Sequence, residues 1–482
     1  MANLIWTPQP RQAIFMSRPE YEVLYGGAAG GGKSDALVIE ALRQIKIPHY
    51  KGLIIRKTYP QLTELIEKSL GYYRAIRGAR YNDTKHVWTF PSGAKIYFGS
   101  MQHTKDKFNY QGKAYDYIAF DELTHFTFEE YSYLFSRNRP NGAGTRVYIR
   151  ASANPGGIGH GWVKERFITA APPMTPIEQR VEIRTPDGRA STLCRHRMFV
   201  PSTVFDNKRL LENDPNYLAN LALLPEAERN ALLYGDWNSF SGQVFSEWRN
   251  LPEHYADRRG THVIDPFVIP REWKIYRGFD WGYAKPFSVG WYAVDRDKRI
   301  YRIRELYGCT ESPDTGVKWE PELVAEKIRE VEKSDINLKG RTVYGIADPA
   351  IFADDRGKGT SIAAVMERQG VFFSKGNHER LSGKMQMHNR LRFDENGVPM
   401  FYVFSTCKSF IRTVPSLVYS ETAVEDVDTK GEDHIYDECR YVLMEYPISP
   451  PPPKEVIRKE FDPLATDDGK KLGNYEFYRS IF

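Results

Sequence analysis

The sequence predicts an α/β protein in two parts: a mostly parallel sheet flanked by helices, then a second, distinct α/β domain. Three observations carry this. Between residues 22 and 42 a short apolar strand breaks into a glycine-rich loop and resumes as an apolar helix. A second apolar strand ends in the adjacent carboxylates Asp121 and Glu122. Beyond residue 273, strand-like segments end in aspartates. The length, 482 residues, exceeds what one hydrophobic core usually holds and favours two domains.

Composition excludes more than it assigns. The chain is 41% hydrophobic and 27% charged, with a mean hydropathy of −0.54. No apolar run approaches the ~20 residues needed to span a bilayer, so no membrane role is expected. The opening Met1-Ala2-Asn3-Leu4-Ile5-Trp6 lacks the basic-then-apolar pattern of a signal peptide. Cys194, Cys309, Cys407 and Cys439 lie far apart, matching neither a disulfide framework nor a zinc site, and a reducing cytoplasm is expected. A net charge of +5 permits contact with nucleic acid without requiring it.

Glu22-Val23-Leu24-Tyr25 reads as a buried strand, broken at once by Gly26 and Gly27. The loop Gly27-Ala28-Ala29-Gly30-Gly31-Gly32-Lys33-Ser34 follows, then the apolar helical run Asp35 to Leu42. Strand, glycine loop and helix in that order give G-x-x-x-x-G-K-S its meaning as a phosphate-binding loop. Gly27, Gly30, Gly31 and Gly32 let the backbone curl so that its N–H groups face a phosphate at a helix N-terminus. Lys33 is expected to reach the β- and γ-phosphate oxygens and Ser34 to ligate Mg²⁺, so ATP or a related triphosphate is the expected ligand.

Such a loop needs an acid on a neighbouring strand. The strand Tyr115-Asp116-Tyr117-Ile118-Ala119-Phe120 is expected to deliver Asp121 to the metal shell and Glu122 to the attacking water. A third apolar strand, Arg146 to Arg150, runs into Ser152, Ala153 and Asn154, small polar residues placed to sense a γ-phosphate; Asn-Pro-Gly is also a plain turn. Gln12, before the first strand, carries the paired donor and acceptor that can read an adenine edge, but taken alone it reads as a surface residue.

The texture changes around residues 234–245, and a boundary is placed there. The expected division is residues 1–240 for the nucleotide domain, 241–272 for a linker, 273–447 for the second domain and 448–482 for an extended tail containing Pro450-Pro451-Pro452-Pro453. From Lys274 three alternating segments joined by short turns make an antiparallel meander, the first carrying Asp280. A helix near residues 321–333 leads to the strand Thr342 to Ala347, which ends at Asp348. A last helix opens with acids, and Asp433 and Asp437 share one of its faces. An acid on the first strand, one on a later parallel strand and one on a final helix is the layout of an RNase H-like nuclease, whose carboxylates hold two divalent metals about 3.5–4 Å apart. Each aspartate alone reads as a turn residue or helix cap. Lys375, Arg380, Lys384, Arg390 and Arg392 form a basic cluster that reads either as a DNA contact or as a solvated face.

Taken together these motifs resemble the large terminase subunit of tailed bacteriophages, the motor-nuclease that packages viral DNA. The resemblance rests on Gly27 to Ser34, Ile118 to Glu122, Ser152-Ala153-Asn154, Asp280, Asp348 and the Asp-His-x-x-Asp block at 433–437, over about residues 6–450. It implies a P-loop NTPase domain followed by an RNase H-like nuclease domain, with ATP and Mg²⁺ in the first and Mg²⁺ or Mn²⁺ in the second. It assigns Gln12 to adenine and Asp280, Asp348 and Asp437 to metal, with Asp433 or His434 as a further ligand or neighbour; which of Asp433 and Asp437 leads is left open. Ser152, Ala153 and Asn154 become the coupling motif. Relatives often carry an arginine finger inside the loop or before the acid strand, and here Gln111-Gly112-Lys113 stands instead; Arg137 and Arg139 are the substitutes, acting in cis or from a neighbouring subunit. The implied partners are double-stranded DNA, a small terminase subunit, a portal protein and further copies in a ring, in the host cytoplasm. Two other readings stay open on the residues: a helicase or translocase with a non-catalytic second domain, and a nucleotide-gated scaffold.

Overall fold

A computed structural model describes residues 6–448, apart from 186, 188, 239, 241, 354–359, 421, 422 and 424. The expected tail therefore lies outside the described residues beyond Ile448.

The first sheet comprises β1 (Glu22–Gly27), β2 (Lys51–Arg56), β3 (Arg80–Asn82), β4 (Val87–Thr89), β5 (Lys95–Ser100), β6 (Tyr117–Phe120), β7 (Tyr148–Ala153), β8 (Ile177–Arg184) and β9 (Ala190–Ser202). Its order is β3-β4-β5-β2-β6-β7-β1-β9-β8. The six strands from β5 to β9 in that order are parallel, and antiparallel pairs close the two edges. Side chains alternate across it as strand geometry requires: Val23, Tyr25, Ile54, Tyr117 and Ala119 enter one core, and Leu24, Leu53, Ile55, Ile118 and Phe120 the other. Because both faces are covered, β1, β6 and β7 are buried at every residue and read in sequence as continuous apolar runs rather than alternating ones. Three helices pack here, α1 (Pro10–Ser17), α2 (Lys33–Glu40) and α3 (Tyr59–Tyr73). The last buries Leu62, Leu65, Ile66, Ser69 and Tyr73, a stripe at helical spacing.

The second sheet comprises β10 (Val263–Ile264), β11 (Lys274–Asp280), β12 (Ser288–Val294), β13 (Ile300–Tyr307), β14 (Val343–Ala347), β15 (Ser374–Lys375) and β16 (Phe401–Phe404), in the order β10-β16-β13-β12-β11-β14-β15. The expected meander is β11-β12-β13, and β14 lies parallel against β11 with β15 parallel beyond it. This is the RNase H-like arrangement. Apolar residues of the expected connector, Val244, Phe245, Trp248, Val263, Ile264 and Ile269, are buried in the core of this second sheet, and β10 pairs with β16. Prolines and glycines break the periodicity of that stretch, so its packing was invisible in the sequence.

Among the described residues no helix is long and apolar enough to cross a membrane.

Candidate nucleotide and carboxylate sites

The parallel strands bring three chain segments to one edge of the first sheet. The loop leaves β1; Asp121 and Glu122 leave β6; Ser152 to Asn154 end β7, which lies between the other two. Gly32, at a φ of 68°, turns the loop into α2, a conformation that glycine adopts without strain. Lys33 is buried, donates from Nζ to the carbonyl of Ala28 and to Asn154 Oδ1 (2.8 Å), and burial pulls its pKa down against the charges of Glu122 and Asp121. Ser34 Oγ donates to Asp121 Oδ1 at 3.2 Å, and Ser152 Oγ donates to the same oxygen at 2.5 Å. Burial, followed by the neighbouring charge of Glu122, pushes Asp121 up, and Arg56 opposes that shift.

Asn154 bridges the two ends of the site. Its Oδ1 accepts from Lys33 while its Nδ2 donates to Glu122 Oε1 at 3.1 Å and its backbone N–H to Oε2 at 3.3 Å. Glu122 itself sits at a φ of 54°, left-handed backbone that a residue with a Cβ rarely adopts, and its N–H donates to Ser152 Oγ (3.1 Å). Ala153 is buried between these two polar neighbours.

Gln12 lies against the loop, as expected, but both ends of its amide are engaged within the protein. Nε2 donates to the carbonyl of Gly32 (2.7 Å), and Oε1 accepts from the N–H of Gln9 (2.8 Å). Reading a base would require exchanging those partners. Arg137 and Arg139 lie elsewhere: they flank Asn138, which bridges to Tyr115 just before β6, whereas the acids follow its end. With about 3.3 Å of rise per residue, the span from Tyr115 to Asp121 is on the order of 20 Å, so in this subunit neither side chain starts from the nucleotide edge. The arginine found beside the acids is Arg56, with Nε 3.4 Å from Asp121 Oδ2. Its signal in the sequence was a basic residue closing the apolar run Gly52 to Ile55, and its meaning depended on knowing that β2 adjoins β6.

In the second half, β11 and β14 deliver Asp280 and Asp348 to the same sheet edge, where Asp348 N–H donates to the carbonyl of Phe279 and Asp348 Oδ1 accepts from Ala350 N–H (2.9 Å). The helix His434–Leu443 crosses β11 and β12 and is seated by Glu438, which is fully buried. Glu438 Oε2 accepts from Arg302 Nη1 at 2.7 Å and from Ser288 Oγ at 3.1 Å, above the facing pair Gly278 and Gly290, where any Cβ would collide with it. One turn away, Asp433, His434 and Asp437 then face Asp280. His434 Nδ1 lies 3.2 Å from Asp280 Oδ2, and Nε2 lies 3.5 Å from Asp314 Oδ1. Burial drives Asp280 up to about 6, with Asp437 and Asp348 adding to the shift against His434. Asp433 goes to about 7, from burial and then the charge of Asp437. Burial disfavours the charge on His434, yet its contacts with Asp280 and Asp314 outweigh that and raise it to about 10.

Among the described residues no group of three or more His, Cys, Asp or Glu side chains is drawn together closely enough to hold a metal ion. Arg380 and Arg440 are interleaved with the carboxylates instead, each within 3.0 Å of Asp437. The donor set is nonetheless of the kind a hard divalent cation takes, carboxylate oxygens and an imidazole, and the burial and mutual repulsion that raise Asp280 and Asp433 are what such a cation relieves. The basic cluster read from the sequence does not form one surface. Arg390 is fully buried, its guanidinium donating to the carbonyls of Lys298 and Tyr446, and Lys384 is buried and donates to the carbonyl of Glu425.

A P-loop sheet in which one strand separates the loop strand from the acid strand, joined to an RNase H-like domain with carboxylates at its sheet edge, defines the class: a P-loop NTPase fold fused to a nuclease fold. Residues 24–249 match the family described as terminase large subunit, T4likevirus-type, N-terminal. No curated protein matches the chain. Similar solved structures include the large terminase of a thermophilic bacteriophage (17% identity, 92% of this chain and 100% of that one, TM-score 0.36). The HK97 bacteriophage large terminase is 10% identical over 91% of this chain and 94% of that one, with a TM-score of 0.39. The P22 large terminase nuclease domain is 15% identical over 42% of this chain and 93% of that one, with a TM-score of 0.32.

Proposed function

We propose that this chain is the motor subunit of viral DNA packaging, hydrolysing ATP to move double-stranded DNA into a procapsid and cutting concatemeric DNA with a metal-dependent endonuclease. The motor is residues 1–240 and the nuclease residues 273–447. Lys33 and the N–H groups around Gly30, Gly31 and Gly32 bind the phosphates, Ser34 and Asp121 hold Mg²⁺, and Glu122 is the base for the attacking water. The observation that supports this reading best is Asn154, bonded at once to the phosphate-binding Lys33 and to Glu122. Loss of the γ-phosphate would change what Lys33 binds, and Asn154 would pass that change into β7.

In the second half Asp280, Asp348 and Asp437, with Asp433 and His434 beside them, would hold Mg²⁺ or Mn²⁺, which when bound supplies an activated water and stabilises the leaving oxygen. Backbone grip by a chain of net charge +5 suits sequence-tolerant, salt-sensitive DNA binding. A small terminase subunit, a portal protein and further copies of the chain in a ring are the proposed partners, in the host cytoplasm. Arg137 and Arg139, remote from this subunit's acids, are available only to a neighbour's site. The test is plasmid digestion with Mn²⁺ by wild type and Asp348→Ala, alongside DNA-stimulated ATP turnover. Cutting by wild type alone, with turnover in both, is expected. Turnover without cutting by either would select the translocase with a non-catalytic second domain; ATP binding without turnover would select the nucleotide-gated scaffold.

A further inference from the structure

The carboxylate cluster of the second half already carries a cation, and its placement is unusual for a structural one. Arg380 stands in the first turn of the helix Arg380–Leu391. Its Nη1 lies 3.0 Å from Asp437 Oδ2 and its Nη2 3.8 Å from Asp433 Oδ2, so it bridges two of the expected metal ligands. Its Nε lies 2.7 Å from Asp426 Oδ2, on the loop between Ser420 and Asp428, outside the cluster. The neighbouring Arg440 makes the contrast. It is 2% exposed, its Nε is 2.8 Å from Asp437 Oδ1, and its aliphatic stem lies over Gly383. Arg380 is 26% exposed and reached from solvent. Arg440 is locked in place, whereas Arg380 has an anion on each side of it.

A guanidinium stays charged at any ordinary pH and cannot ligate a metal. Where it occupies carboxylates that a divalent cation needs, the two compete, both for oxygen lone pairs and through like-charge repulsion. Without some cation, buried carboxylates so close together would repel one another strongly. We propose that Arg380 is the exchangeable counter-charge of this site: its guanidinium holds Asp433 and Asp437 in the metal-free protein and withdraws onto Asp426 when a divalent cation enters. This rests on the reading of Asp280, Asp348 and Asp437 as metal ligands. Metal affinity is then set partly by an arginine that is no ligand, and the domain stays folded with its carboxylates poised while metal is absent.

The experiment is calorimetric titration of Mn²⁺ into the full-length protein, with thermal melting in EDTA, for wild type, Arg380→Gln, Arg380→Lys and Asp348→Ala. Arg380→Gln is expected to bind Mn²⁺ about tenfold more tightly than wild type or better, the effect of removing one unit charge at contact distance, and to melt at a lower temperature in EDTA. Arg380→Lys keeps the charge but loses the fork, and is expected to fall between the two. If Arg380→Gln is not recovered folded, the order of Arg380→Lys against wild type decides. Affinity equal to or weaker than wild type in either variant overturns the proposal. Absence of any Mn²⁺ binding that Asp348→Ala removes would instead overturn the metal-ligand reading on which it rests.

Discussion

Glu122 is where the energetics of the first site concentrate. A non-glycine residue in left-handed backbone costs on the order of 1–2 kcal/mol, and such outliers persist where surrounding contacts fix them. Here Ser152 holds its N–H and Asn154 both carboxylate oxygens. These contacts hold the carboxylate against Asn154, which also binds Lys33. Replacing the carboxylate with an amide keeps the shape and removes the base proposed for the attacking water. Glu122→Gln is expected to lower ATP turnover by roughly 100-fold or more while nucleotide affinity, supplied by the loop, stays within a few-fold. Equilibrium binding and steady-state turnover on the same preparation check this. Turnover close to wild type would remove Glu122 as the base.

At the scale of elements, what could be read from the sequence followed what is local. The loop, the acid strand, each strand of the meander and the Asp348 strand carry their signal in one short stretch of sequence, and each lies where it was expected. Arg56 was missed because its role depends on β2 pairing with β6 across an intervening helix and hairpin. The ribbon β8–β9 left no pattern because β8 and the first part of β9 are largely exposed, so neither face had to be apolar. The basic cluster was misread for the converse reason: charge in a sequence does not reveal that Arg390 is buried. The seat of the final helix was equally hidden, since a glycine in a strand announces only that something approaches closely. At Gly290 that something is Glu438 with Arg302, so a methyl group there pushes on a buried ion pair. Gly290→Ala is expected to destabilise by about 1–3 kcal/mol. Gly71 in α3, where a Cβ meets nothing within 4 Å, should tolerate alanine and gain roughly 0.5–1 kcal/mol. Urea denaturation of both variants checks the pair; equal effects would mean that Glu438 does not seat the helix.

Across the whole molecule, a continuous set of contacts runs from Ser152-Ala153-Asn154 to the carboxylates. Beyond Asn154 the chain turns through Gly156, whose N–H donates to His160 Nδ1, and His160 stacks on Phe240 at 4.1 Å. Residues 160–168 then present Glu165 to Arg412 of the second half, 3.4 Å away. Arg412 grips Glu432 with two bonds of 2.6 Å, and Glu432 immediately precedes Asp433 and His434. Contiguity alone does not establish coupling; a response at one end to a ligand at the other does. Glu165 is half-exposed and its own pairing is screened, so the weight falls on the bidentate Arg412–Glu432 pair. If this bridge transmits, a non-hydrolysable ATP analogue with Mg²⁺ should change amide hydrogen exchange across residues 432–440 in wild type. Arg412→Ala should abolish that change while leaving the analogue's affinity within about twofold, since the phosphate loop is untouched; Glu165→Gln should weaken it less. An unchanged exchange response in Arg412→Ala would mean that the nucleotide state reaches the carboxylates by another route, or that the two sites work independently and are coordinated only through the DNA they share.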